Sequence, residues 1–500
     1  MTGLDLQSPV GLTLAVLPEL ILTFAALVAL MANAWRHTTA ADSRLAGWIS
    51  LAGVVASGVA LAALWQSGAT SIGDPHMVAL DGYRYAALAL ILIATAAAIL
   101  LSLDYLEREN LIAPEYYSLM LMSAVGMMFL AGSEDLIVLF LGLEIMSVPV
   151  YVLAGYNRRN AFSAEAALKY FLIGAFASAF LLYGIALVYG ATGTTALTEI
   201  GVRLGARPLT LLSGLGVGFL IIGLGFKVAS VPFHMWAPDV YDGAPTPVTA
   251  FMATGVKIAG FVSLVRVLLV GFPNAVDVWQ PVIGVMAAAS MIVGNLVALA
   301  QRSIKRLLAY SSIAHAGYLL AAVWPGTRAA ASATMLYLVA YTFTTFAAFA
   351  ILTVLGRNGE RDVTLDSITG LSARRPWLAF GFSVTMFSLL GFPLTFGFIG
   401  KWSILNAMIA EHYLFLPVIL VVTTLLSAGY YLPIVRAMFM KDSDPTSRYE
   451  AAVLPRPAMA AVVVSVAIVL ILGIWPQGVM TVVDHAARSF STRSSDVTVR

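Results

Sequence analysis

The chain is a succession of long apolar runs bounded by charged residues or by Pro and Gly clusters, and ~20 mostly apolar residues are what a membrane-spanning helix needs. Taken in order, the runs predict fourteen helices, centred near Thr23, Val55, Ile93, Ala124, Leu143, Phe176, Gly218, Lys257, Val293, Ile313, Ala340, Phe387, Val421 and Val466. They are continuous rather than alternating, which excludes a closed barrel. The fold class expected is all-α: a polytopic membrane protein with about fourteen transmembrane helices and no soluble domain. Its longest loops lie near Gly356 to Arg375 and Lys441 to Pro455. The first run, Leu12 to Ala34, carries Glu19 and has neither a basic leading segment nor a small-residue cleavage site, so it reads as a retained helix.

Composition narrows the function. Of 500 residues 60% are hydrophobic and 11% charged, against roughly 25% charged in soluble domains, so a large soluble catalytic domain is excluded. Cysteine is absent, which excludes thiolate-ligated iron–sulfur clusters, zinc-thiolate sites, disulfides and cysteine nucleophiles. Any redox chemistry must belong to a partner. The net charge of +2 points to neither nucleic acid nor an acidic partner. Placement says more than the sum. Seventeen of the 28 Lys and Arg fall on one side of the predicted helices, among them Arg36, Arg44, Arg158, Arg302, Arg357, Arg361, Lys441 and Arg448. Seven fall on the other (Arg84, Arg203, Arg207, Arg328, Arg488, Arg493, Arg500), and four (Lys227, Lys257, Arg266, Lys401) lie inside spans. The crowded side should be cytoplasmic, with both termini opposite it.

An ionisable side chain at a helix centre costs at least ~2.5–3.5 kcal/mol on insertion scales, and Glu144, Lys227, Lys257 and Lys401 each sit in an apolar run. Any one of them reads equally as a helix-locking pair or a snorkelling lysine. One carboxylate with three lysines reads better as a proton path, because burial can draw a lysine's pKa down from ~10.4 by several units and a nearby carboxylate can restore it. Glu144-Ile-Met-Ser-Val-Pro149 and Lys227-Val-Ala-Ser-Val-Pro232 both place Ser-Val-Pro after the charge. Proline deprives the carbonyl four residues earlier of its donor, here Ile145 and Val228, and inside a membrane such groups need water or a polar neighbour. Interrupted, hydrated helices beside the charges are thus expected, as in ion pathways; an ordinary proline kink is the alternative. Lys401 follows a further interruption, Leu390-Gly-Phe-Pro-Leu-Thr-Phe-Gly-Phe-Ile-Gly400, so discontinuous helices are expected near Pro232 and Pro393.

Lys227 and Lys401 are 174 residues apart, and Glu144 and His315 are 171 apart. The agreement predicts an internal repeat of five helices, inverted because five is odd. The expected divisions are 1–115 (helices 1–3), 116–270 (first repeat, helices 4–8), 271–440 (second repeat, helices 9–13) and 441–500 (helix 14 and tail). From Lys257 the same offset lands near Tyr430 and Tyr431, so the second unit lacks that lysine. His315, whose imidazole titrates near neutrality, reads as a shuttle or as a packing residue. His234, just past Pro232, reads as facing the interruption or as an interfacial loop residue. Glu19 reads as a helix-start residue or an accessory relay member, and Arg266 as lying near a membrane surface.

The stretch Lys227-Val-Ala-Ser-Val-Pro-Phe-His-Met-Trp-Ala-Pro-Asp-Val-Tyr-Asp-Gly-Ala-Pro-Thr-Pro-Val-Thr-Ala-Phe251, followed by Lys257, closely resembles the signature of the antiporter-like membrane subunits of respiratory complex I, NADH:quinone oxidoreductase. The run Lys305-Arg-Leu-Leu-Ala-Tyr-Ser-Ser-Ile-Ala-His315 resembles a second signature of that family, and the likeness spans nearly the whole chain. A chain ending soon after its fourteenth helix is unlike the subunit L branch with its long lateral helix. Lysine at 401 is unlike the glutamate of the subunit M branch, whereas Pro18-Glu19-Leu20 and the overall length resemble the subunit N branch. The resemblance implies that NADH oxidation and quinone reduction in partner subunits, which hold the FMN, the iron–sulfur clusters and the quinone, drive proton translocation here, with no redox centre in this chain. It implies that Glu144 and Lys227 form a coupled pair, that Lys257 connects two half-channels, and that Lys401 leads to the exit side. It further implies a bacterial inner membrane with periplasmic termini, antiporter-like neighbours, and through them the peripheral NADH-oxidising arm. Multisubunit cation/proton antiporters and membrane-bound hydrogenases share the fold and stand as the alternative. A purely structural anchor predicts instead that mutating the buried charges damages assembly rather than pumping.

Overall fold

The computed structural model describes residues 3–34, 40–72, 77–111, 115–206, 209–356, 363–440 and 456–497. Arg36, Arg207, Arg357, Arg361, Lys441, Arg448 and Arg500, all used for the expected orientation, lie outside the described residues, as do the loop Lys441 to Pro455 and part of the loop Gly356 to Arg375.

In hydrocarbon no water satisfies a backbone N–H or C=O, so the apolar runs close their hydrogen bonds internally. The helices are α1 (Pro9–Ala15), α2 (Leu17–Ala34), α3 (Ala40–Gln66), α4 (Gly82–Arg108), α5 (Glu115–Gly132), α6 (Leu136–Ala154), α7 (Ala161–Thr192), α8 (Leu197–Gly205), α9 (Leu211–Lys227), α10 (Ala237–Gly243), α11 (Thr246–Phe251), α12 (Lys257–Arg266), α13 (Val276–Ala298), α14 (Ile304–Val323), α15 (Arg328–Leu355), α16 (Leu371–Arg374), α17 (Pro376–Leu390), α18 (Phe396–Ile409), α19 (Phe415–Met440), α20 (Arg456–Ile474) and α21 (Gln477–Val497). A π turn, Met252–Val256, joins α11 to α12, so residues 246–271 form one span with an irregular turn directly before Lys257. Polar residues fix the starts: Asp81, Asn160 and Ser303 each accept a hydrogen bond from a backbone N–H of the first turn of α4, α7 and α14.

All fourteen predicted centres lie inside helices. Among the described residues nine helices are long and apolar enough to cross a membrane, or ten with α1 and α2 as one bent span. The other four centres fall in α5, which opens on Glu-Tyr-Tyr-Ser, in α14, which opens with Lys305 and Arg306, and in α9 and α17, which are short because each is followed by a break. The first run also divides: α1 meets α2 at 74° around Val16, where Pro18 has no N–H to continue the ladder. The C-terminal region, read as one helix and a tail, holds a further helix, α21, whose Val483, Ala486 and Ala487 are buried. Its apolar residues line one side rather than forming a run, so a search for runs passes over it. Gly3–Asp5 pairs in parallel with Thr70–Ile72, a small ribbon beside the all-α bundle.

The spans differ in depth. In 246–271 and α15, 89% of the most apolar stretch is buried, against 33% in α7 and α19, so the former pair forms the centre and the latter two the periphery. Glycine brings helices to backbone contact: a Cβ on Gly126 of α5 would lie 2.1 Å from Met146 N of α6, and one on Gly294 of α13 would lie 2.5 Å from Ala314 N of α14. Helices break over residues 228–236 and 391–395, near Pro232 and Pro393 as expected, whereas Pro149 sits inside a continuous α6 and interrupts nothing there. Each break contains a non-glycine residue in the left-handed region, Ala229 (φ 57°) and Leu394 (φ 71°), a conformation that persists only where the surroundings impose it.

Candidate functional site

Lys227 is the last residue of α9, at the edge of the first break, and is 2% exposed. Its Nζ donates to Ser147 Oγ at 2.7 Å and to Tyr151 Oη at 3.0 Å, and lies 5.2 to 5.8 Å from the ring centres of Tyr151, Phe226 and Tyr170. Hydroxyls that accept while keeping a proton to donate and ring faces that attract a cation make a cage able to hold an ammonium without a counter-ion in contact. Gly174 of α7 leaves room for it, since a Cβ there would stand 2.1 Å from Tyr151 Oη. The break around Lys227 is closed by its own side chains: Ser230 Oγ donates to the Gly225 carbonyl and Trp236 Nε1 to the Phe226 carbonyl.

Glu144 precedes Ser147 and Tyr151 by three and seven residues, so all three share one face of α6. The half-buried Glu144 accepts a hydrogen bond from Ser178 of α7. Among the described residues no ion pair joins it to Lys227, so in this state the coupled pair implied by the resemblance is not in contact. The two charges are related through α6.

The second group is strung along α14. Lys257 Nζ, 2% exposed, donates to both the carbonyl and the Oγ of Ser312 at 2.6 Å, and Ser312 Oγ lies 2.8 Å from Tyr341 Oη. His315, about one turn on, has Nδ1 2.6 Å from Tyr337 Oη and Nε2 3.3 Å from Tyr431 Oη, and Tyr431 Oη is 2.5 Å from Ser311 Oγ. A further turn on, the ring of Tyr318 lies 4.6 Å below Lys401 Nζ, and Tyr318 Oη accepts from Asn295, which in turn accepts from Tyr430. Ser311, Ser312, His315 and Tyr318 thus form a polar stripe whose Ser312 and Tyr318 lie about 9 Å apart along the axis at 1.5 Å per residue, with Lys257 at one end and Lys401 at the other. Lys401 Nζ donates to the carbonyls of Leu389 and Leu390 at 3.0 Å each. These are carbonyls that the end of α17 leaves without helical partners, and a cation suits the negative end of a helix. Gly391, at φ 84°, is the residue over which this lysine lies.

His234 and Glu19 stand apart from this line. His234 is half-buried in the break, and among the described residues no hydrogen bond ties it to Lys227. Glu19 lies in the first turn of α2, 1% exposed, and accepts from the fully buried Arg84 at 2.6 Å. Arg266 is 1% exposed, bidentate to Asp81 at 2.8 and 3.0 Å and 3.5 Å from Glu134. Helix starts and ends place these five groups together, at the opposite end of the bundle from Arg158 and Arg302, as a structural ionic cluster.

The family model described as NADH:quinone oxidoreductase/Mrp antiporter, TM, matches residues 133–427, which contain Glu144, the three lysines and His315. The chain belongs to this family. Among its antiporter-like relatives, NADH-quinone oxidoreductase subunit N of Gemmatimonas aurantiaca is 41% identical over 99% of this chain and 97% of its own length. Subunit N of Trichlorobacter lovleyi is 40% identical over 95% and 96%. These relatives place the chain in the subunit N branch. A chain of respiratory complex I from Thermus thermophilus is 36% identical with a TM-score of 0.78, covering 93% of this chain and 98% of that one. A chain of the Mrp complex from Dietzia sp., 21% identical with a TM-score of 0.81 over 96% and 99%, shares the fold.

Ser147, Tyr151, Ser312, Tyr341, Tyr337 and Asn295 were not legible as site residues, although Ser147 and Tyr151 carry a signal, their helical spacing from Glu144. Asp81 and Glu134 carry none, because their arginine lies 185 and 132 residues away.

Proposed function

We propose that this chain is a proton-translocating membrane subunit of NADH:quinone oxidoreductase, with FMN, iron–sulfur clusters and quinone held by partner subunits and antiporter-like neighbours linking it to the NADH-oxidising arm. The reading places it in a bacterial inner membrane with both termini periplasmic. The observation that carries it is the line of buried lysines, each solvated by hydroxyls, carbonyls or ring faces instead of being neutralised by an acid. An amine in such a cage can hold or surrender a proton as its surroundings change, whereas a lysine locked in an ion pair cannot do so cheaply.

In this reading Glu144 modulates Lys227 through the shared face of α6, the proton passes to Lys257 on the adjoining α12, along α14 by Ser312 and His315, and out past Lys401. Contact between the helices supports the first transfer, since a Cβ on Gly260 of α12 would lie 2.9 Å from Val228 and 3.8 Å from Lys227 Cβ. His315 suits a shuttle because both ring nitrogens face hydroxyls, so either tautomer finds a donor and an acceptor. The order of elements supports two five-helix units: three unbroken helices, a broken pair and a further helix occur first over α5 to α12 and again over α13 to α19.

Glu144→Ala and Lys227→Ala test the relay, each in the assembled enzyme. NADH-driven acidification of inverted membrane vesicles should fall while the content of assembled complex stays level. Wild-type pumping by both variants would remove the relay assignment, and loss of assembly without loss of pumping per complex would favour the structural anchor.

A further inference from the structure

At the basic end of the bundle a charged cavity is built on α7 and α10, the elements that also carry or adjoin two of the rings nearest Lys227. A cavity of about 210 Å3 lies between the first turns of α7, the short α10 and the start of α14, lined by Asn160, Glu165, Asp239, Asp242 and Arg306 among others. Its charges form an alternating chain: Glu165 to Lys169 at 2.5 Å, Lys169 to Asp239 Oδ2 at 2.9 Å, Arg306 to Asp239 Oδ1 at 2.8 Å, and Arg306 to Asp242 at 4.0 Å, with Ser303 Oγ donating to Asp242 at 3.0 Å. Asp239 is its hinge, one oxygen on each cation, and its side chain is 33% exposed. The residue after Lys169 is Tyr170, and Trp236 lies one helical turn before Asp239. These two rings stack face to face, 4.3 Å between centroids and 8° apart, each 1% exposed. Behind them Tyr170 meets the edge of Tyr151 at 4.7 Å, and Tyr151 holds Lys227.

Resting on the relay reading of Lys227, we infer that this cavity is the proton-uptake mouth for Lys227, with Asp239 as its receiving group and the Tyr170–Trp236 stack as its gate. The Lys169–Asp239 bridge clamps α7 to α10 and so holds the rings face to face. A proton taken by the Asp239 carboxylate from the aqueous side breaks the bridge between the two helices and leaves Lys169 on Glu165 of its own helix. α10, only seven residues long and bounded by the break, is then released from α7 and carries Trp236 off Tyr170 as its Nε1 leaves the Phe226 carbonyl. Once Lys227 has passed its own proton on toward Lys257, the proton leaves Asp239 for the amine so freed, and the renewed carboxylate re-forms the clamp, so one proton enters for each one passed on. The stack closes the path at rest because two apolar ring faces offer no lone pair along which a proton can step.

The test uses the assembled complex in inverted vesicles, with variants compared at equal content of complex. Asp239→Asn should lower protons pumped per NADH oxidised to the level of Lys227→Ala. Trp236→Ala, with the gate gone, should let an imposed pH gradient collapse severalfold faster than in wild type, while Trp236→Phe, which keeps a stacking face, holds it. If Lys227→Ala loses pumping but Asp239→Asn pumps with wild-type yield and Trp236→Ala vesicles hold the gradient as wild type does, the gate is overturned and the relay stands. If Lys227→Ala itself pumps normally, the relay falls and the gate with it.

Discussion

Gly391→Ala tests how Lys401 is held without altering any charged group. At φ 84° an L-residue is in the left-handed region, which costs roughly 1–2 kcal/mol. The new Cβ would lie 2.9 Å from Lys401 Cδ and 3.5 Å from its Nζ. The lysine side chain is the yielding partner, so the amine moves off the carbonyls of Leu389 and Leu390, each now 3.0 Å away. Hydrogen bonds to a charged group contribute about 1.5–3 kcal/mol each, so losing one leaves the proton-bearing amine less stable by that amount. A step limited by this site should slow by roughly 10- to 150-fold, at about 1.4 kcal/mol per factor of ten. The assay is the initial rate of NADH-driven vesicle acidification at equal content of complex, with Gly218→Ala, whose Cβ would meet nothing within 4 Å, as the control that should pump normally. Assembled Gly391→Ala enzyme pumping at the wild-type rate would refute the claim that this glycine seats the lysine.

Gly174→Ala should push Tyr151 from Lys227, because the added Cβ would fall 2.1 Å from Tyr151 Oη; pumping should drop, and a second change, Tyr151→Phe, should add little more, which a double-mutant comparison of vesicle acidification measures. Arg266→Leu strands Asp81 and Glu134 in the interior and should destabilise the fold by ~3–5 kcal/mol, seen as a lower melting temperature of the purified complex. Arg44→Gln, which breaks half-exposed pairs to Asp104 and Glu107, should change it by under about 1 kcal/mol.

The two helix breaks were legible because proline acts locally: Pro232 and Pro393 remove donors wherever the chain goes. Embedded charge was legible because the membrane makes it costly in any arrangement. What surrounds each charge was not. Tyr337, Tyr341 and Tyr431 read as ordinary aromatic residues of apolar helices until α14, α15 and α19 bring their hydroxyls to His315 and Ser312. The same holds for Arg266, whose partners Asp81 and Glu134 come from the starts of α4 and α6. Glu144 illustrates the reverse limit: its importance could be read, but its contact could not, since Ser178 rather than Lys227 meets it.

The ionic cluster at the far end of the bundle also bears on how the chain can be built. Glu19 precedes Arg84 by 65 residues, and Asp81 and Glu134 both precede Arg266. Synthesis from the N-terminus therefore delivers every acid before the arginine that needs it. Each acid waits at a helix start or in a short link, where interfacial water can solvate it, and each guanidinium enters the bilayer with its partner already in place. Within this cluster, insertion in chain order never strands an arginine, and a chain halted before residue 266 leaves Asp81 and Glu134 as carboxylates that can still reach water.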